Sequence, residues 1–183
     1  MALSPGKQFE KSFEISANKD KIFFYRIKDN VSAFNPKCME CPHSKIKFTV
    51  KNECDSFMYE KILLPIEFKS TKSKSISLSD KIIRPQQIEK LTEWLKYEGV
   101  VPGFILNFRE NNNQTYFLHI QDFNNYVGNP NRKNKSSIPI SYCKEFGIEI
   151  KNNILRTNYR YNVRNFIDQI HSKYLPDIGQ PIG

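Results

Sequence analysis

Apolar positions recur at helical spacing at the start of the chain. Phe9, Phe13 and the small Ser16 share one stripe over residues 7–16, with Lys and Glu between them, which predicts an amphipathic first helix. The period then shortens. IFFYRI at 22–27 is rich in strand formers, and three more strand-like runs follow: KIKFTV at 45–50, CDSFMY at 54–59 and ILLPIEFK at 62–69. Pro65 lacks the N–H that a ladder needs, so it predicts an edge position or a bulge. Helical spacing returns over 86–97 with Ile88, Leu91 and Trp94/Leu95, after Pro85 at the helix start and before Gly99 as the stop. GFILNF at 103–108 and the run 115–120 read as two strands joined by the turn ENNNQ. A short strand or two fits within 148–161, and a last helix fits 163–174. Polar stretches at 28–42, 70–80 and 128–137 read as loops, the last two basic and mobile. Helix, strands, helix, strands predicts one domain over 1–183, of α/β or α+β class, around a mixed central sheet.

The pattern carries one local constellation with chemistry in it. Residues two apart in a strand share a face, so Glu67 and Lys69 point one way and Phe68 the other. The strand before them carries Asp55, and the short connection at 60–61 lets Asp55 lie opposite Glu67. Two converging carboxylates repel unless a cation sits between them, and oxygen ligation suits Mg²⁺ or Mn²⁺. The Phe68 carbonyl is a natural further ligand, and Lys69 is placed to orient a water or stabilise charge on a phosphate. The bland reading of the same residues is a solvated Glu/Lys face, with Asp55 opening a turn.

Charge sharpens this only in combination with the site. Lys and Arg exceed Asp and Glu by 28 to 19, a net +9, which favours polyanions through counterion release. The basic run 69–81 abuts the Glu67–Lys69 strand, and Lys72, Lys74, Lys81, Arg84, Arg132 and Lys133 are the candidate phosphate contacts. No apolar run approaches a membrane span and the first residues lack a secretory pattern, so a cytoplasmic protein without a membrane partner is expected. No nucleophilic Ser/His/Asp set, Gly-rich phosphate loop or dinucleotide fingerprint occurs.

With these residues in view, the chain resembles the RecU family of Holliday-junction resolvases, especially its shorter, phage-type or penicillin-binding-protein-related-factor-A-like members. PGKQFEKSF resembles the family's opening helix, CDSFMY its metal-binding Asp strand, and LPIEFKSTKSKSISL its E-x-K strand with the basic loop after it. RPQQIEKL resembles the helix whose Gln lies beside the site, and GVVPGFILNF with TYFLHI the strands that follow, all in order over 6–123. The resemblance implies a restriction-endonuclease-like fold of the PD-(D/E)xK type and a Mg²⁺-dependent homodimer that cuts four-way DNA junctions in recombination and repair. It implies Asp55 and Glu67 as metal ligands, Lys69 as the water-positioning base, Glu10 as an accessory acid and Gln87 as a contact to the site or the phosphate. Without it, Glu10 is part of an ordinary helix charge pattern and Gln87 an ordinary solvent-facing residue. The departure lies at 29–53, where the family's protruding stalk is replaced by a shorter segment containing NPKCMECPHS.

Cys38 and Cys41 form C-x-x-C, with His43 and Cys54 further along. A structural Zn²⁺ clip of Cys38, Cys41 and Cys54 competes with reduced thiols, and a lone C-x-x-C favours the thiols. Cys54 itself reads as a buried strand residue. Arg156, Arg160 and Arg164 recur every four residues and serve either DNA or the final helix, while His119 and His171 read as structural or surface residues. Two rival functions stand beside the resolvase: the same centre acting on ordinary duplex, and a basic DNA-binding module whose acids serve packing.

Overall fold

The computed structural model describes residues 3–27, 52–130 and 136–175. Helix α1 (Pro5–Lys19) starts where Ser4 caps it, its hydroxyl accepting from the Lys7 N–H at 3.5 Å, with Pro5 in the first turn. Its Phe9, Phe13, Ser16 and Ala17 are buried on one face. Strand β1 (Phe23–Arg26) pairs antiparallel with β2 (Ser56–Glu60), and β2 turns through Lys61, at φ 63°, into the antiparallel β3 (Ile62–Thr71).

β3 lies beside β5 (Gly103–Phe108) in the sheet's parallel pairing, from Ile66↔Gly103 to Thr71↔Phe108. A parallel neighbour requires a crossover, which carries β4 (Ser75–Ser77), α2 (Pro85–Glu93) and a 3₁₀ turn at Trp94–Lys96. The antiparallel β6 (Gln114–His119) follows β5, and a Cβ on Gly103 would sit 2.6 Å from the Leu118 carbonyl, so only glycine fits that approach. Then come α3 (Ile120–Gly128), β7 (Ser137–Pro139), α4 (Ile140–Phe146), β8 (Ile148–Glu149), β9 (Asn152–Ile154), β10 (Tyr159–Tyr161) and α5 (Val163–Tyr174). The main sheet runs β1-β2-β3-β5-β6-β8, with two-stranded ladders β4/β7 and β9/β10. This is the expected mixed α+β sheet flanked by helices. One apolar cluster joins α1 and α5 to one face of the sheet; a second joins α2, α3 and α4 to the other. No helix among the described residues is long and apolar enough to cross a membrane.

Several expectations are corrected. Pro65 sits in an interior strand, neither at an edge nor in a bulge. The parallel register is the same at Leu63↔Val100 and at Ile66↔Gly103, and the gap between them holds Pro65 and Pro102, so the missing N–H falls where the ladder is already interrupted. The stretch 70–80 is no free loop: β3 extends to Thr71, and β4 pairs with β7 and buries Ile76. Helix α2 stops at Glu93, earlier than the apolar spacing indicated, and α3 and α4 lie almost wholly in segments for which the sequence pattern predicts no element.

Candidate active site

The β2/β3 ladder ends at Ser56↔Ile66, and Asp55 is one residue beyond, at the level of Glu67. Its backbone is held on both sides: the N–H donates to the Ile66 carbonyl at 3.1 Å, and the carbonyl accepts from the Ile27 N–H at 2.9 Å. Its carboxylate Oδ2 accepts from the Phe68 N–H at 2.8 Å, so the strand that carries Glu67 also grips Asp55. Alternation along β3 buries Phe68 against α1 and turns Glu67 and Lys69 to the α2 side.

Glu67 is 1% exposed. Its Oε1 accepts from Lys69 Nζ at 2.5 Å and from Gln87 Nε2, while its Oε2 is buried with no hydrogen-bond partner among the described residues. Gln87 is the third residue of α2, and its amide is oriented from both ends. Its Oε1 accepts from the Arg84 N–H at 3.2 Å as part of a capping box, which leaves Nε2 for Glu67. The reading of Gln87 as solvent-facing is therefore corrected: it is buried against the acid. The signal was present in Arg84-Pro85, which fixes the helix start and with it the direction of the third residue.

Burial, and then the Asp55 carboxylate, push Glu67 up to about 7, against the pull of Lys69 and Gln87. Asp55 is also raised, by burial, with Lys69, the Phe68 N–H, the facing Glu67 carboxyl and Arg84 opposing. Cys54, buried beside them, is driven up to about 12 by burial, Glu67 and Asp55. Its Sγ donates to the Ser56 carbonyl at 3.6 Å.

The other candidates are scattered. Glu10 is ion-paired with Arg26, whose strand partner Ser56 follows Asp55. Among the described residues no group of three or more His, Cys, Asp or Glu is arranged to hold a metal ion, so Glu10 does not complete such a set with the pair. Lys72, Lys74 and Lys81 are exposed, and Lys81 lines a cleft of about 300 Å³ with Lys69, Ser70, Thr71 and Ser77. Arg84 Nη2 donates to the Asn52 carbonyl at 3.4 Å. Arg160 pairs with Asp20 at 2.9 Å and Arg164 with Glu60, which ties the final helix and hairpin to the core, while Arg156 is exposed. His119 caps α3 and His171 bonds the Glu60 carbonyl at 2.7 Å, both structural as expected. Arg132, Lys133, Cys38, Cys41 and His43, with nearly all of 29–53, lie outside the described residues. Sequence reasoning missed Asp20, whose Oδ2 accepts from the Val163 and Arg164 N–H groups at the start of α5, and the buried Asn107–Asn113 pair.

Comparison with known proteins adds to this geometry. A curated relative, the SPbeta prophage-derived uncharacterized protein YotM of Bacillus subtilis (strain 168), is 41% identical over 182 residues, covering 94% of this chain and 89% of that protein. A solved structure, Hjc, a Holliday junction resolvase from the archaeal hyperthermophile Archaeoglobus fulgidus, superposes with a TM-score of 0.49 at 18% identity, over 79% of this chain and 95% of that one. The family model described as Recombination protein U matches residues 7–165, with Asp55, Glu67, Lys69 and Gln87 all inside the match. This chain belongs to the Recombination protein U (RecU) family.

Proposed function

We propose that the protein is a divalent-cation-dependent endonuclease that cuts DNA phosphodiesters at four-way junctions, acting as a homodimer in recombination and repair. Family membership supports the substrate class, and the residues support the chemistry. The observation that carries the reading is Glu67 Oε2: a buried carboxylate oxygen without a partner among the described residues, on an acid whose neighbour is a second acid. Such a pair fits a cation, and its oxygen ligands fit Mg²⁺, or Mn²⁺ in its place. When bound, the cation supplies Lewis-acid polarisation of the scissile phosphate.

The chain's own residues do the rest. Asp55 and Glu67, with the Phe68 carbonyl, would hold the cation. Lys69 orients the attacking water and offsets charge gathering on the phosphate oxygens. Gln87 fixes the Glu67 carboxylate, with Glu10 an accessory acid further out. Lys72, Lys74, Lys81 and Arg84, with Arg132 and Lys133, position the DNA backbone. A two-fold dimer places two such centres before a two-fold junction.

The test is cleavage of an end-labelled synthetic four-way junction beside a linear duplex of the same sequence, with and without Mg²⁺. Paired, symmetric nicks in the junction, little cutting of the duplex and none without cation are expected. Equal cutting of both substrates would favour the duplex endonuclease. Tight binding with no cutting under any cation would favour the non-catalytic module.

A further inference from the structure

On the sheet face opposite Glu67 and Lys69, a cavity of about 340 Å³ opens at the ends of β5 and β6. Its side of the sheet follows from the register. Asn107 pairs with Ser70, one residue past Lys69 and so on the Phe68 side, and Ser70 Oγ donates to Asn107 Oδ1 at 2.9 Å. Asn107 and Asn113 line the cavity, Gln8 of α1 faces Asn158 and Tyr159 of the β9–β10 hairpin, and Arg109 stands at the end of β5.

The floor is rigid. Asn107 Nδ2 donates to Asn113 Oδ1 at 2.8 Å and to Thr115 Oγ1 at 2.9 Å, and Asn113 Nδ2 donates to the Tyr161 hydroxyl at 3.0 Å. Asn112 and Asn113 hold this turn at φ 53°, a left-handed conformation that asparagine tolerates better than most residues. One wall is tied to the other by Gln8 Nε2 donating to Asn158 Oδ1 at 3.1 Å. Packing alone does not require so preorganised a polar recess.

Its electrostatics are one-sided. No acid is among the described residues that line it, and Arg109 brings a guanidinium. The Arg109 Nε is buried with no hydrogen-bond partner among the described residues, which costs free energy until an acceptor arrives. The guanidinium is not needed to hold its own turn, because the Arg109 backbone already donates to Thr71 at 2.9 Å and accepts from Asn113 at 3.2 Å. Pro5, in the first turn of α1, also lines the cavity, and that turn carries no acidic residue. An adjoining recess shares Gln8, Ser12, Asn158 and Tyr159 and adds Lys11. A compact, multiply accepting anion pairs with the guanidinium, whereas a neutral ligand leaves it uncompensated.

We infer that this cavity is a second phosphate site, which takes a backbone phosphodiester of the bound DNA on the far side of the sheet from the cutting pair, with Arg109 as its anchor. The assignment of DNA as the source rests on the proposed nuclease function; the anion chemistry of the cavity does not.

The experiment measures binding of a fluorescent four-way junction across a salt series without divalent cation, for the unaltered chain, Arg109→Gln and Asn158→Asp. Arg109→Gln is expected to weaken binding about tenfold, as loss of a charge-assisted phosphate contact should, and to flatten the log–log salt slope by about 0.9. Asn158→Asp, at the exposed mouth, should weaken binding in the same direction by repulsion, so the test survives if the first variant melts early. Unchanged affinity and slope in both variants would overturn the site. Thermal stabilisation by millimolar inorganic phosphate that Arg109→Gln abolishes, with junction affinity unaltered, would overturn DNA as the source. Failure of the unaltered chain to bind junctions at all would instead count against the nuclease reading, and is seen separately.

Discussion

Two consecutive residues of β3 show how differently the two faces of one sheet are built. Phe68 is 5% exposed and Glu67 1%, so burial does not distinguish them. The Phe68 ring packs edge-on against Phe9 and Phe13, with centroids 5.4 and 5.2 Å away, and every contact adds stability. Glu67 is taken out of water to an equal degree, next to a second carboxylate, and only Lys69 and Gln87 compensate. Folding free energy gained on the α1 side is available to hold an unfavourable arrangement on the α2 side, as expected where a site is preorganised for a charged ligand.

Exchanging the roles of these two residues is the most forceful way to break the comparison. On the proposed mechanism Glu67→Gln should lower junction cleavage by about 10³-fold or more, since it removes a charge that would hold the cation, while leaving the fold intact. Phe68→Ala should cost about 3–4 kcal/mol of unfolding free energy, because the aromatic cluster cannot close over the void. Its cleavage should then fall only in proportion to the unfolded fraction. Denaturant titration beside single-turnover cleavage separates the two effects. A Glu67→Gln protein that unfolds, or a folded Phe68→Ala protein that does not cut, would show that the faces are not divided in this way.

The comparison sharpens further with pH. Glu67 is raised from 4.5 to about 7 by folding, so the folded state prefers it protonated. That preference is fully present below the unfolded value near 4.5 and is lost as pH rises through 7, which makes the cation-free protein less stable at pH 8 than at pH 5 on this account, by on the order of 3 kcal/mol. His119, lowered by burial, works in the opposite direction in the acid range. The useful quantity is therefore the difference between variants. Melting in chelator at pH 5 and pH 8 should show Glu67→Gln gaining on the unaltered chain at the higher pH, and Mg²⁺ should erase most of that gain. Parallel pH profiles for the two proteins would remove the idea that the pair is strained.

How much of this was readable beforehand depended on the range of the interactions. The alternation in Glu67-Phe68-Lys69 fixed which side chains share a face, because that depends on backbone geometry alone. Asp55 was placed correctly opposite Glu67 because only a short turn separates the two strands. Pro65 misled because its meaning depends on where the parallel partner is interrupted, at Pro102, which is remote in sequence. The basic stretch after Lys69 read as free loop because its order comes from β7, more than fifty residues on. Asn107, Asn113 and Tyr161 lie on separate elements, and no local pattern announces a polar network assembled by tertiary structure.

The smallest expected effect concerns Gln87, where the two faces' logics meet in one side chain: its oxygen serves the helix start and its nitrogen serves the acid. Gln87→Glu keeps an acceptor for the Arg84 N–H but loses the donor to Glu67, whereas Gln87→Met loses both. A ligand-orienting hydrogen bond is worth roughly 10- to 100-fold in activity, so both variants should cut that much more slowly. Gln87→Met should also lose about 1 kcal/mol of stability from the missing cap, and Gln87→Glu should lose stability too, because it buries a third carboxyl against Glu67. Because the Gln87 donor favours the ionised form of Glu67, its removal should move the acidic limb of the pH–rate profile upward. A residue that merely caps α2 would change the melting temperature and leave that limb where it was, so an unmoved profile in Gln87→Met would reduce Gln87 to a structural part.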